Sequence, residues 1–281
     1  MKTRLDKLLA ARGLTSSRSQ AESYIHIGKV RILAGGTWRT ITRPGYVVDD
    51  AVKLKLEQAE QFVSRAALKL QSAAGKLGID FGGKLVLDVG SSTGGFTQFA
   101  LSRGARKVIA VDVGTDQMER NLRRDPLIEL YEKTDIRVVV AASLNKKCIQ
   151  PKNSRQNKAA QNDKIVVIPQ PDLILIDVSF VSLREILPHI ARRIAGAETL
   201  IAAMVKPQFE TGARLKNAGV IKNDRERRKI LADFEGWAKK MFTIQAKADS
   251  AVAGSRGNLE RFYLLKLIKK SGLSIQNPTT S

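Results

Sequence analysis

Four positions in this 281-residue chain share one place in the hydrophobic pattern: each ends, or directly follows, a short apolar run. Gly90 comes after Leu85-Val86-Leu87-Asp88-Val89, and Asp112 ends the run Lys107-Val108-Ile109-Ala110-Val111. Asp177 follows Leu173-Ile174-Leu175-Ile176. Lys206 follows Thr199–Val205 and is stopped by Pro207, which cannot continue a central strand. If these runs are parallel strands, all four residues lie along one carboxyl edge, where open α/β sheets bind ligands. The segment Asp88-Val89-Gly90-Ser91-Ser92-Thr93-Gly94-Gly95-Phe96 places glycines between a strand and a helix. Glycine there permits positive φ and close approach of backbone to a ligand. Asp112, about twenty residues on, is placed to accept hydrogen bonds from two ribose hydroxyls. The loop is not a strict G-x-G-x-x-G, which argues against a dinucleotide. No Walker sequence is present, which argues against ATP hydrolysis.

The elements that position these residues follow from periodicity. Apolar runs alternating with helical patterns predict an α/β architecture, a parallel sheet with helices on both faces. Ala66, Leu70, Ala73 and Leu77 predict a helix stopped by Gly78. A second helix is expected over Asp224–Met241, with Asn223 and Glu226 as its cap pair. Ile128–Tyr131 reads as the third strand. Phe262–Leu267, after the turn Gly254-Ser255-Arg256-Gly257, reads as a last strand, antiparallel at or near one sheet edge. Residues 1–60 read as a separate small α+β module. Leu5, Leu8 and Leu9 share a helix face, capped by Thr3 with Asp6 and ended by Gly13. Ser17 and Gln20 form a second capping box before Ala21 and Ile25, with Gly28 as the stop. Val30 and Ile32, the Gly35-Gly36 turn, and Val52, Leu54 and Leu56 complete the module. The polar stretch Gln58–Ser64 reads as the linker to a second domain over 61–281. Residues 143–164 read as a solvated loop.

Composition narrows the partners. Lys and Arg number 48 against 27 Asp and Glu, a net charge of +21. The excess is +5 over residues 1–63 and +16 over the rest. Charge of this size calls for a polyanion, a nucleic acid or an anionic membrane surface. Hydrophobic residues make up 43%, enough for a packed core. No eighteen-residue apolar run exists, so no membrane span is expected, and the charged start Met1–Lys7 does not read as a signal peptide. One cysteine fits a reducing, cytoplasmic setting. Two histidines and one cysteine do not make a His/Cys zinc site, and no metal is expected.

Two resemblances add to this reading. Arg4-Leu5-Asp6-Lys7-Leu8-Leu9, Ser17-Arg18-Ser19-Gln20-Ala21 and Gly28-Lys29-Val30-Arg31-Ile32 resemble the S4 RNA-binding domain, with Leu33-Ala34-Gly35-Gly36 in place of its usual Asn-Gly or Asp-Gly turn. Val63–Leu70, Leu87–Thr97, Ala110–Gly114, Asp177–Leu183, Val205–Glu210 and Gly257–Glu260 resemble the FtsJ-type RNA ribose methyltransferases. With the S4-like start, the whole chain resembles the TlyA (hemolysin A-type) family of rRNA 2′-O-methyltransferases. The resemblance implies a Rossmann-like methyltransferase sheet and a catalytic tetrad of Lys69, Asp177, Lys206 and Glu260. It implies methyl transfer from S-adenosylmethionine to a ribose 2′-hydroxyl, that of a cytidine, in ribosomal RNA or ribosomal subunits. Lys206 is then either the base for that hydroxyl or a cation that orients and stabilises the developing alkoxide. The donor is expected at Gly90, Ser91, Ser92, Thr93, Gly94, Gly95 and Phe96, with Asp112 on its ribose and Asp135 on its adenine. RNA phosphates are expected at Arg4, Lys7, Arg18, Lys29 and Arg31. The competing readings are a non-catalytic RNA-binding assembly protein, a membrane-active hemolysin, and a small-molecule methyltransferase that would leave the charge unexplained.

Overall fold

The computed structural model describes residues 2–15, 18–57, 62–145, 165–211, 220–221, 223–254 and 257–268. Ser17, Gln58–Gln61, the basic tract beyond Asn145 and Ser255-Arg256 lie outside the described residues.

The N-terminal part runs β1 (Lys2–Arg4), α1 (Leu5–Ala11), α2 (Arg18–His26), β2 (Val30–Ala34), β3 (Thr37–Ile41), β4 (Val47–Asp49) and β5 (Leu54–Leu56). Its core gathers Leu5, Leu8 and Leu9 of α1, Ala21 and Ile25 of α2, and Val30 and Ile32 of β2. Glycines end both helices at positive φ, Gly13 at 68° and Gly28 at 74°. Gly35 and Gly36 stand at 58° and 76°, and Ala34 pairs with Thr37 across them. Two successive positive φ values match the right-handed twist of a tight hairpin, so this Gly-Gly pair closes the turn without Asn or Asp. The expected Thr3 cap is not formed. Thr3 lies in β1, paired with Val48, and α1 starts after Arg4 with no side-chain cap. The strand pairing claims the backbone that a cap would need. Asp6 is fully buried instead, and Arg4 and Arg18 donate to it at 2.7 and 2.9 Å. Burial pushes its carboxyl up, but these hydrogen bonds and the Lys7 amide outweigh that and pull it down to about 2.

The remainder runs α3 (Arg65–Leu77), β6 (Leu85–Val89), α4 (Gly95–Ser102), β7 (Lys107–Val111), α5 (Arg120–Arg123), β8 (Ile128–Tyr131), β9 (Val139–Ala141), α6 (Ala142–Asn145), β10 (Val166–Ile168), β11 (Leu173–Ile176), α7 (Leu183–Arg193), β12 (Leu200–Val205), α8 (Pro207–Glu210), α9 (Asp224–Ala238), β13 (Phe242–Asp249) and β14 (Arg261–Leu267). Seven strands form one sheet in the order β13-β14-β12-β11-β6-β7-β8. From β12 to β8 all neighbours are parallel, while β14 runs antiparallel to β12 and β13 to β14. Alternate residues of the central strands feed two cores, as a sheet buried on both faces requires. Leu87, Ile109 and Ile174 pack with α7 and α9 on one side. Val86, Val108 and Leu175 pack with α3 and α4 on the other. Helix α3 also sends Leu68 into the N-terminal core, where Val252 joins it, so this one helix touches both parts of the chain.

Several elements differ from expectation, among them β5, which begins at Leu54 and not Val52, β13 and α9. β13 carries no apolar run, since an edge strand buries one face only and its residues alternate between buried and exposed. Helix α9 ends at Ala238 rather than Met241, because the chain turns there, with the Met241 amide on the Ala238 carbonyl, to enter β13.

Candidate active site

The sheet places the charged residues by register. Asp177 is the first residue after β11, and its amide donates to the Val89 carbonyl of β6 at 3.0 Å. Lys206 is the first residue after neighbouring β12, and Pro207 opens α8 behind it. Val205 pairs with Arg261, so antiparallel β14 brings Glu260 beside Lys206. Lys69 descends from α3. Two ion pairs result: Lys206 Nζ lies 2.6 Å from Asp177 Oδ1, and Lys69 Nζ lies 2.7 Å from Glu260 Oε2. All four side chains are at most 14% exposed. Both contacts are close by distance but off the hydrogen-bond direction, so neither carboxylate oxygen accepts an aligned bond. The aligned bond from Lys206 goes to Ser179 Oγ, at 2.6 Å. Buried ion pairs of this kind contribute little net stability, because desolvation offsets attraction. Their concentration at one sheet rim beside the glycine loop makes that rim the candidate site.

The loop between β6 and α4 is shaped by its neighbours. Gly90 has φ 82°, and a Cβ on it would stand 2.6 Å from the Asp177 carbonyl oxygen. A Cβ on Gly95 would stand 2.2 Å from Ser64 Oγ. These glycines are required by protein contacts, not only by an incoming ligand. Ser91 Oγ and Asp88 Oδ1 are buried with no hydrogen-bond partner among the described residues. Asp112 accepts from the Ser92 amide at 2.8 Å and from the Gly114 amide at 2.7 Å. Each carboxylate oxygen keeps a lone pair for a further donor.

Such a rim, a glycine loop on the first parallel strand with two Lys–carboxylate pairs beside it, can be set against known proteins. Residues 62–267 match the FtsJ-like methyltransferase family. The chain belongs to that family. A Mycobacterium tuberculosis protein named 16S/23S rRNA (cytidine-2′-O)-methyltransferase TlyA is 33% identical over 282 residues, covering 97% of this chain and 93% of its own. Hemolysin A of Brachyspira hyodysenteriae is 34% identical over 267 residues, covering 94% and 99%. A solved structure from Streptococcus thermophilus that carries a hemolysin name is 30% identical with a TM-score of 0.62, covering 95% and 89%.

In this methyltransferase the other expected site residues are placed as follows. Ser92 and Thr93 are exposed on the loop, and Gly94 is buried at φ 92°. Phe96 turns into the core with its ring 5.9 Å from that of Phe262, so it anchors α4 instead of lining the loop. Asp135 accepts from the Arg137 amide at 2.9 Å and pairs with its guanidinium, which engages the carboxylate expected at an adenine. Of the five expected phosphate contacts, Lys7 is exposed, Arg4 and Arg18 hold Asp6, and Lys29 and Arg31 lie 3.6 and 3.9 Å from Glu57.

Two residues were not among the expected site residues, although both lie in segments that carry the resemblance, Asp177–Leu183 and Val205–Glu210. Phe180 is 88% exposed, takes φ 67°, and lies 5.5 Å from the ring of Phe209. Glu210 is buried and accepts from Ser182 Oγ at 2.7 Å and the Leu183 amide at 2.8 Å. It thereby ties the segment after Lys206 to the segment after Asp177. Burial pushes its carboxyl up. Either residue reads, one at a time, as an ordinary loop phenylalanine or an ordinary surface acid. Only the pairing of the two loops distinguishes them.

Asp88 gives a pH-dependent result. It is fully buried, and that desolvation pushes its carboxyl up, opposed by the Thr97 hydroxyl and reinforced by the charge of Asp177, to about 7. The unfolded chain releases this proton near 3.8 and the folded chain near 7. The folded state thus binds the extra proton between those values, and stability falls as pH rises through that window. Asp88→Asn, which can still accept from Thr97, is expected to flatten the decline in Tm between about pH 5 and 7. Thermal melts of both proteins that run parallel across that range would remove the assignment.

Proposed function

We propose that this methyltransferase moves the methyl group of S-adenosylmethionine to the 2′-hydroxyl of a cytidine in ribosomal RNA. The observation that supports this most is the pair of buried ion pairs, Lys69–Glu260 and Lys206–Asp177, on the rim that also carries the glycine loop. The names of the relatives give the same substrate class, and the net charge of +21 suits it. Residues 1–60 serve as an S4-like RNA-binding module and residues 61–281 as the catalytic unit.

The described residues fit the donor. Ser91 Oγ, in the loop where it is expected, and Asp88 Oδ1, in the last residues of β6 before that loop, are orphaned polar atoms, and such atoms call for a partner. Gly90–Gly95 would face its amino-acid end, and Asp112 would take its ribose hydroxyls. When bound, the donor supplies a methyl group on a cationic sulfur. The chain's own work concerns the acceptor oxygen. Lys206, held as the ammonium of its ion pair with Asp177, orients the 2′-hydroxyl and balances the negative charge that develops on its oxygen as the hydroxyl proton passes to water. Ser179 orients Lys206 from the other side. Lys69 and Glu260 close the opposite wall and keep the oxygen aligned, which is where most of the rate of such a transfer arises.

Phe180 and Phe209 offer the target base a surface to stack on. Single-stranded bases are held this way on exposed aromatic rings. Phe180→Ala is expected to weaken substrate binding by about 1–3 kcal/mol, seen as a raised KM for RNA with donor affinity unchanged. An unaltered KM would remove Phe180 from the substrate site.

The deciding experiment incubates the protein with radiolabelled S-adenosylmethionine and purified ribosomal subunits, then maps the modified ribose. Label on a cytidine 2′-oxygen is the expected result. Label on base atoms, or no label with intact donor binding, overturns the reading. Hemolysin names among the relatives make liposome leakage the companion assay. No helix among the described residues is long and apolar enough to cross a membrane.

A further inference from the structure

The N-terminal part and the catalytic unit meet at a cleft of about 360 Å³ lined by His26, Lys29, Thr42, Gln71, Ser72 and Lys76, with Ala251 at its edge. This is within the size range of ligand sites, and its lining mixes apolar surface, Ile27 and Gly28 included, with the basic residues His26, Lys29 and Lys76. Three features make it more than a gap. First, Lys76 makes no ion pair among the described residues, in a chain where most such cations near the site are paired. Second, Gln71 Oε1 is buried with no hydrogen-bond partner among the described residues, a state that calls for an occupant. Third, the cleft adjoins the catalytic wall. Ser72 Oγ donates to the Lys69 carbonyl and accepts from the Ala251 amide, and the neighbouring Ser250 amide donates to the Glu260 carbonyl. Lys69 and Lys76 are seven residues apart on α3. That separation returns to the same helix face about 10 Å further along the axis, roughly three stacked nucleotide steps at about 3.4 Å each.

We propose that this cleft binds a ribose-phosphate segment of the RNA strand a few nucleotides from the methylated ribose. Lys76 faces phosphate, with Lys29 beside it held by Glu57 at 3.6 Å, and the Gln71 amide carbonyl accepts from a 2′-hydroxyl or a base amino group. The cleft would thus set the distance between the RNA held by the N-terminal part and the ribose presented to Lys206. The proposal rests on the RNA methyltransferase reading above.

The test uses the full chain and measures binding to purified ribosomal RNA as a function of salt. Lys76→Glu is compared with Lys240→Glu, an equal charge change on an exposed lysine beyond the end of α9. Lys76→Glu is expected to weaken binding by about ten-fold or more and to lower the slope of log K against log salt by about one. Lys240→Glu should change affinity by less than about two-fold, as a distant screened charge does. Gln71→Leu should lower RNA affinity several-fold while Tm holds or rises, since an unsatisfied buried carbonyl is removed. Equal effects of Lys76→Glu and Lys240→Glu overturn the proposal. So does a Gln71→Leu protein with lower Tm and unchanged RNA affinity. A wild-type protein that binds ribosomal RNA but transfers no methyl group defeats the activity reading alone, and the Lys76 comparison still decides the cleft. A wild-type protein with no affinity for RNA defeats both.

Discussion

Lys206→Ala is expected to lose about 10²–10⁴-fold in methyl transfer, up to about 5 kcal/mol of barrier, while donor affinity stays within about two-fold of wild type because the donor loop does not contact this side chain in the proposed arrangement. The lysine is the group that reaches both Asp177, at 2.6 Å, and Ser179, at 2.6 Å. Its removal leaves no cation at the end of β12 to balance the negative charge that develops on the acceptor oxygen. The same change strips a buried carboxylate of its partner. That carboxylate lies close enough to Asp88 to raise the latter's titration. Breaking a buried pair from one side costs about 3–5 kcal/mol, so the variant must be checked for folding. Lys206→Ala with Asp177→Asn removes the uncompensated charge and supplies that control. Single-turnover assays at saturating donor are the measurement. Turnover within a few-fold of wild type in either protein rejects Lys206 as the group acting on the hydroxyl.

Gly90→Ala should act differently, collapsing donor binding and turnover together. A methyl group there meets the Asp177 carbonyl oxygen at 2.6 Å and its carbon at 3.1 Å, and the backbone sits at φ 82°, which an alanine resists. Both obstacles are backbone, so neither can rotate away. The conformational strain alone is about 1–3 kcal/mol. Relief requires β6 and β11 to separate at their carboxyl ends, which moves Asp177 away from Lys206 and opens the loop carrying Ser91. Calorimetric titration of the donor and a thermal melt are the two readouts. A Gly90→Ala protein with normal donor affinity would show that this loop yields without cost. The close approach of Gly90 to Asp177 would then not be what aligns the rim. The two variants therefore separate chemistry from placement: one loses rate at intact donor binding, the other loses both.

Local signals carried the α/β sheet a long way. Leu85–Val89, Lys107–Val111, Ile128–Tyr131 and Leu173–Ile176 are strands with the bounds their apolar runs indicate, because strands buried on both faces must be apolar throughout. Gly78, at φ 66°, ends α3 where expected. Strand ends also placed Gly90, Asp112, Asp177 and Lys206 along one edge, since a parallel sheet puts all its carboxyl ends on the same side. Lys69 and Glu260 became visible only through resemblance, as neither helix periodicity nor strand pattern marks them.

What the chain's own pattern did not contain is everything that depends on contacts between distant segments. The edge strand β13 has no continuous apolar run, and Thr3 looks like a cap until β4 pairs with it. Arg4 and Arg18 read as exposed cations until Asp6 is found buried beneath them. Phe180 and Glu210 gain meaning only when the loops after β11 and β12 come together. Spacing along the chain determines which residues share a face or an edge, because that is geometry of a few neighbouring bonds. Which carboxylate meets which ammonium is decided by packing across the sheet, where neighbouring strands bring Lys206 to Asp177 and a helix far earlier in the chain brings Lys69 to Glu260.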